Sequence, residues 1–313
     1  MEAPIETRGS ALVGVLAWIF AGKESWTVGI ANNFLTMVKN PGLIAPFGSW
    51  VSSKLLLGKP PTVSPYDGLK LSGWTSFSEF QFRRGGIPAE ERALLGWCRK
   101  QISGPSVALD VGGNIGLFAL SMAVAGFEKV YSFEPVPFNF TRFEQNMKLN
   151  PEQAARITVT HAAASEAKGV MPFAVSETSP GTCHILTNDA APAGYYRIDV
   201  PVLTLDEFCA ERKVDRVGFL KIDVEGYEKF VLRGASRLLG ARAIDFVFLE
   251  FIHKAFWDAG YNPMDLVDML DEAGYRPVES ESGMAGRPMS REQLAVETPG
   301  LIKNVLWVKK TGA

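Results

Sequence analysis

From about residue 107 onward, the apolar residues of this chain switch repeatedly between short continuous runs and helical spacing. Val107, Ala108 and Leu109 form a run of the kind buried on both faces in a parallel sheet, and residues 110–116 read as a tight glycine turn. Phe118, Met122 and Ala123 have helical spacing, and Val130, Tyr131 and Phe133 make a second strand that ends at Glu134. Phe140, Phe143 and Met147 share a helical face, and Ile157, Val159 and the small run 162–165 predict a third strand. A helix is expected over 204–213 and a fourth core strand over 217–223, followed by a helix facing inward with Tyr227, Phe230, Val231 and Gly234. Residues 244–251 predict a fifth strand, Leu266, Met269 and Leu270 an inward helix face, and residues 304–308 a closing strand. Between 168 and 203 helical spacing stops, and GVMPFAV and YYRIDVPVL read as two strands of a hairpin-like insertion around a Ser/Thr/Gly/Pro loop. Strand and helix in alternation predict an α/β fold with a mostly parallel sheet.

Upstream of residue 100 the pattern is sparser. Pro88 suits a first helical position, with Glu90 and Glu91 in the first turn of a helix reaching about Lys100. Residues 59–68, rich in proline, mark a linker or surface loop. The apolar stretch 11–22 is too short to span a bilayer, and Glu2 and Glu6 spoil the basic start of a signal peptide, so it reads as a soluble helix. Trp18, Phe20, Trp26, Phe34 and Met37 need an apolar partner: the main domain, a second subunit in a homodimer or, less favourably, a membrane surface. The expected organisation is an N-terminal helical and linker extension over 1–75, then one domain over 76–313 with an insertion at about 166–203.

Composition narrows the function classes. A chain of 313 residues, 47% hydrophobic, can bury one large α/β core plus an appendage, and a net charge of −2 lacks the basic footprint of a nucleic-acid-binding protein. Cys98, Cys183 and Cys209 are isolated, which argues against disulfides and zinc and fits a reducing cytoplasm. Each reads as a small buried hydrophobe.

The chemistry starts in the glycine turn, Asp110-Val111-Gly112-Gly113-Asn114-Ile115-Gly116. Glycines there let a ligand approach the backbone, and amides opening the next helix are expected to face an anionic ligand group. The spacing is not GxGxxG, and an acid inside the loop would repel a pyrophosphate, which disfavours a nicotinamide oxidoreductase. The same acid suits a cationic ligand: S-adenosylmethionine carries an ammonium, a sulfonium and a ribose whose hydroxyls Glu134 can accept. The plainer alternatives are an acid complementing a helix dipole at Asp110 and a strand-end charge at Glu134.

The runs LDVGGNIG, SFEP, HAAAS, LTLDEF and above all FLKIDVEGYEKFVLRGA resemble the FkbM family of S-adenosylmethionine-dependent methyltransferases, over about residues 76–308. The resemblance implies a class I methyltransferase sheet, Rossmann-like, of seven mostly parallel strands with the last antiparallel. It also implies O-methylation of hydroxyls on sugars or natural products. Carried over, the cofactor loop falls on Asp110, Gly112, Asn114 and Gly116, the ribose acid on Glu134, and the adenine wall on Ala163, Ala164 and Ser165. Gly113 stands where the family commonly has Ala.

An acceptor hydroxyl must lose its proton to become a useful nucleophile. Ligands of such sheets sit at the carboxyl ends of the strands, which makes Asp223, Glu225, Glu250 and His253 the candidates. His253 is the natural general base by its titration range, with a structural role beside Phe251 and Phe256 as the alternative. Asp223 and Glu250, with Glu225, can instead hold a divalent ion such as Mg²⁺ that acidifies the hydroxyl. Asp223 can also bind the cofactor's amino group, while Glu225-Gly226 can be a turn launching the next helix. Lys221, inside an apolar strand, either reaches the surface or pairs with an acid. The pocket is expected between the insertion and a loop over 279–303 carrying a Ser290-x-x-Gln293 capping box. The acceptor is expected to be a small molecule or carbohydrate, and the competing class is a module that binds S-adenosylmethionine without catalysis.

Overall fold

The structure is a computed structural model, and it describes residues 64, 68–71, 86–176, 183–186, 191–296 and 303–310. The N-terminal aromatics Trp18 to Met37, and the extension they were expected to build, lie outside the described residues. No helix among the described residues is long and apolar enough to cross a membrane.

The core is an eight-stranded sheet built from β1 (Val107–Val111), β2 (Lys129–Phe133), β3 (Ile157–Thr160), β8 (Val217–Ile222), β9 (Ile244–Phe251), β10 (Tyr275–Glu281), β11 (Met284–Pro288) and β12 (Lys303–Lys309). Their order is β11-β10-β12-β9-β8-β1-β2-β3. The strands from β3 to β9 run parallel, and β12 inserts antiparallel between β9 and β10. This is the class I methyltransferase sheet with one strand more than the expected seven. The extra strand arises because Ser282 and Gly283, both with positive φ (51° and 75°), close a two-residue turn that folds β11 back on β10. Residues 279–303, expected as a loop, therefore hold a hairpin and the short helix α10 (Arg291–Ala295), whose capping box forms as the sequence indicates.

Burial explains the central strands. Every residue of β8 is buried, and Lys221 is its only charged member. Tyr275, Trp307, Leu220, Val247 and Leu266 fill one core cluster beneath β8, β9 and α9 (Pro263–Glu272). Around the sheet lie α1 (Ala89–Gln101), α2 (Leu117–Val124), α3 (Pro137–Leu149), α4 (Pro151–Ala154), α5 (Leu205–Glu211), α6 (Glu228–Arg233), α7 (Ser236–Gly240) and α8 (His253–Asp258). Helix α1 begins one residue after Pro88, which serves as its cap. Thr204 caps α5 by accepting from the Glu207 amide at 3.1 Å. Upstream, Lys70 exchanges two hydrogen bonds with Asn150 beyond the end of α3, of 2.8 and 2.7 Å, and seats the buried Leu69 and Leu71.

The small run 162–165 does not extend the third strand. It leaves the sheet and makes β4 (Ala163–Ala164) of a separate four-stranded sheet, ordered β4-β7-β5-β6, with β5 (Gly169–Ser176), β6 (Cys183–Ile185) and β7 (Tyr195–Leu203). The main-sheet edge ends at Thr160, and two small residues offer no bulky face to hold a register there. The expected insertion is thus a sheet in its own right, with Ala163, Phe173, Val200 and Val202 as its apolar core. The order of the main sheet reverses between β1 and β8, and the crevice at that switch point is where open α/β sheets bind ligands.

Candidate active site

Strand β1 runs through Val111, two residues further than the apolar run suggested, so Asp110 sits inside the sheet and the turn proper starts at Gly112. Asp110 is fully buried, accepts from Ser132 Oγ at 2.8 Å, and lies 3.5 Å from the Lys221 ammonium. Burial raises its carboxyl above the usual range, and the Lys221 charge opposes that rise. Within the turn, ahead of the amides that open α2, the N–H groups are spent inside the protein. Gly112 and Gly113 both donate to Phe133 O, at 3.1 and 2.9 Å, Gly116 donates to Gly113 O at 2.8 Å, and Asn114 donates to Glu134 Oε2 at 2.7 Å. The turn is therefore tied down by the end of β2 before any ligand arrives.

Glu134 is the hub of that tie. Its other oxygen accepts from the Val136 amide at 2.9 Å and from Asn139 Nδ2 at 3.3 Å. Burial nevertheless pushes the carboxyl up to about 7, against the lowering effect of these bonds. Asn146 braces the far end of the turn by donating to Ile115 O at 2.8 Å. Asn139 and Asn146, both buried, were invisible in the sequence because α3 presents them among ordinary polar positions.

Across the crevice, Asp223, Glu225 and Glu250 come together at the ends of β8 and β9, each offering a carboxylate oxygen within 4.8 Å of the others. The two sides touch: a Cβ on Gly112, whose φ is +82°, would lie 1.9 Å from Asp223 O. Lys221 resolves its two readings by pairing, 3.0 Å from Asp223 Oδ2 and 3.1 Å from Gly112 O, so a single ammonium bridges the turn and the acids. Crowding by protein atoms, then the charge of Asp223, raises Glu225 to about 7. Burial, then Asp223 and Glu225, raises Glu250 to about 9. Both carboxyls are raised, as crowded acids are, and a hard divalent ion bound among the three would displace their protons while competing with Lys221 for Asp223, so the donor set fits proton handling and a cation alike.

His253 does not join the acids. It opens α8, packs edge-on against Phe251 at 5.3 Å, and directs Nε2 at Leu294 O, 2.7 Å away. Glu91, read only as a helix-dipole acid, takes a place at the site. It accepts from Asn304 Nδ2 at 2.7 Å, and Asn304 is the cross-strand partner of Glu250. Burial raises its carboxyl, and the charges of Lys221 and Asp223 act on it as well. Cys183 is similar: burial raises its thiol, and the charges of Glu134, Glu225 and Asp223 add to the rise. Ala163, Ala164 and Ser165 are buried where β4 meets β7, and the Ser165 amide donates to Leu203 O at 2.8 Å.

Three comparisons bear on this arrangement. A curated relative, the hexuronic acid methyltransferase AglP of Haloferax volcanii, is 25% identical over 242 residues, covering 76% of this chain and 90% of that protein. Methyltransferase 1 of Beauveria bassiana is 30% identical over 146 residues, covering 41% of this chain and 58% of its own length. A crystal structure of a methyltransferase FkbM from Methylobacillus flagellatus KT is similar at 18% identity with a TM-score of 0.42, over 65% of this chain and 43% of that one. The methyltransferase FkbM domain matches residues 110–277, from the buried acid of β1 to the third residue of β10. That span is more than half of the chain and contains both sides of the crevice, and the protein belongs to the FkbM methyltransferase family.

Proposed function

We propose that this methyltransferase uses S-adenosylmethionine to methylate a hydroxyl of a carbohydrate or natural-product acceptor. The observation that carries the reading is the direct contact between the glycine turn at Gly112 and the acid-bearing end of β8 at Asp223. It sets a cofactor subsite beside a proton-accepting one. Glu134 Oε2 keeps one lone pair for a ribose hydroxyl, Asp110 has one buried oxygen without a hydrogen bond, and Ala163, Ala164 and Ser165 offer small side chains beside a flat ring. When bound, S-adenosylmethionine supplies an electrophilic methyl group on sulfonium. Glu225, raised to about 7 and open to solvent, takes the acceptor's hydroxyl proton as the new C–O bond forms. Glu250 and Asp223, whose carboxylate oxygens lie within 4.8 Å of each other, orient that hydroxyl. In this reading His253 is a structural donor to Leu294 O.

AglP is named for hexuronic acid, so uronic acids head the acceptor panel. The first experiment is calorimetric titration with S-adenosylhomocysteine and with NAD, each with and without Mg²⁺, followed by turnover of S-adenosylmethionine against uronic acids, neutral sugars and phenols. Saturable binding of S-adenosylhomocysteine alone, and Mg²⁺-independent transfer that rises with pH through about 7, are expected. Binding of NAD sinks the cofactor reading. Cofactor binding with no transfer to any acceptor favours the non-catalytic module, and a strict Mg²⁺ requirement moves the acids from proton handling to metal binding.

A further inference from the structure

The carboxylate of Glu225 is presented by an unusual piece of backbone. Glu225 has φ +55° and Gly226 has φ +102°, two successive left-handed residues between β8 and α6. A non-glycine residue in that region costs roughly 1–2 kcal/mol and persists where neighbouring groups over-determine it. Here they do. The Asp223 amide donates to Val111 O at 3.1 Å, and the Tyr227 amide donates to Val224 O at 3.3 Å. Gly226 is pressed on α8, where a Cβ would lie 2.5 Å from Ala255 O.

The remaining tie is Glu228. Its Oε1 accepts from the amides of Val224, at 3.0 Å, and Gly226, at 3.4 Å, the two N–H groups on either side of Glu225. An acid in the first turn of a helix would serve the dipole equally well from the surface. Glu228 instead is 1% exposed, turns back under the preceding loop, and leaves Oε2 without a hydrogen bond. Burying a carboxyl half-satisfied is a cost that packing alone does not explain.

We infer that Glu228 is a positioning residue, whose carboxyl oxygen clamps the two amides flanking Glu225 and so aims the Glu225 side chain at Asp223 and Glu250. The inference deepens the reading of Glu225 as the proton acceptor and rests on it for its catalytic meaning, but its test needs no acceptor.

The full chain, labelled with carbon-13 at glutamate side-chain carboxyls, is titrated by NMR as wild type, Glu228→Gln and Glu228→Leu, with the Glu225 signal assigned by its loss in Glu225→Gln. Gln keeps a carbonyl oxygen for both amides, so Glu225 is expected to stay near 7; Leu removes the acceptor, so Glu225 is expected to fall toward its ordinary 4.5. Should the Leu variant fail to fold, Glu228→Asp, one methylene too short for the clamp, is read in its place with the same expectation. A folded Leu or Asp variant that leaves Glu225 unmoved overturns the inference, as does a Gln variant that moves it as far as Leu does. Calorimetry with S-adenosylhomocysteine separates the two readings: a Glu225 signal that moves as expected in a protein that binds no S-adenosylhomocysteine leaves the clamp standing and brings down the functional proposal.

Discussion

On the β1–β2 side of the crevice, Asp110 and Glu134 are buried and already held by the protein, through Ser132 and Lys221 for the first and through Asn114, Val136 and Asn139 for the second. On the β8–β9 side, Asp223, Glu225 and Glu250 are partly or fully open to solvent and crowd one another, with one ammonium among them. The first group spends its hydrogen bonds on rigidity. The second keeps its lone pairs, and desolvation by the surrounding protein, then mutual repulsion, raises Glu225 and Glu250. In the proposed reading a preformed pocket and a reactive one lie side by side, and the same residue type does opposite work in each.

The contrast can be broken most severely where the two sides touch. Gly112→Ala drives a methyl group into Asp223 O in a left-handed backbone conformation, and a loss of roughly 3 kcal/mol or more of stability together with S-adenosylhomocysteine binding is expected in denaturant melts and calorimetry. Glu134→Ala strands three donors, two of them buried, so a loss of about 2–4 kcal/mol is expected, with cofactor affinity falling alongside; unchanged stability would show that the turn is not held from β2. Asp110→Asn leaves Lys221 with Asp223 as its one remaining carboxylate partner, and because that pair survives, a smaller loss of roughly 2 kcal/mol is expected. Glu250→Gln sharpens the comparison with the smallest effect at low pH and one that grows as pH rises. A carboxyl raised from 4.5 to about 9 stabilises the fold fully below 4.5 and loses that contribution as pH rises through about 9. The Gln variant should therefore gain on wild type as pH rises from about 4.5 to about 9. Parallel stability curves would refute the raised carboxyl.

The sequence exposed the first of these regions better than the second. The fifth strand was legible to the residue, 244–251, because six of its eight residues are apolar and dominated by Phe, Val and Ile, too short and too β-prone for a helix. The turn at 110–116 and the acid after β2 were legible by type, yet the inward aim of the turn's amides was not, because their acceptor, Phe133 O, is a backbone atom some twenty residues away. The convergence of Asp223, Glu225 and Glu250 followed from strand ends in a parallel sheet, whereas Glu91 and Asn304 reach the site from remote parts of the chain. Glu228 carried no signal at all. An acid in the first turn of a helix is commonplace, and only its burial distinguishes this one. The small run 162–165 misled for the opposite reason: residues without bulk or period leave the choice of sheet to tertiary pairing.

The second sheet has a consequence for how this enzyme could be re-engineered. Its chain departs at Ala163 and Ala164 and comes back at Val202 and Leu203, which are paired in register with the departure point. Entrance and exit are therefore fastened to each other, independently of what lies between. Lengthening or exchanging the intervening stretch costs little in loop closure, about 0.6 kcal/mol per doubling of length, and leaves the eight-stranded sheet untouched. In the proposed reading the second sheet is a cassette, and chimeras exchanged at these two alanines and their partners test whether it bears on the acceptor.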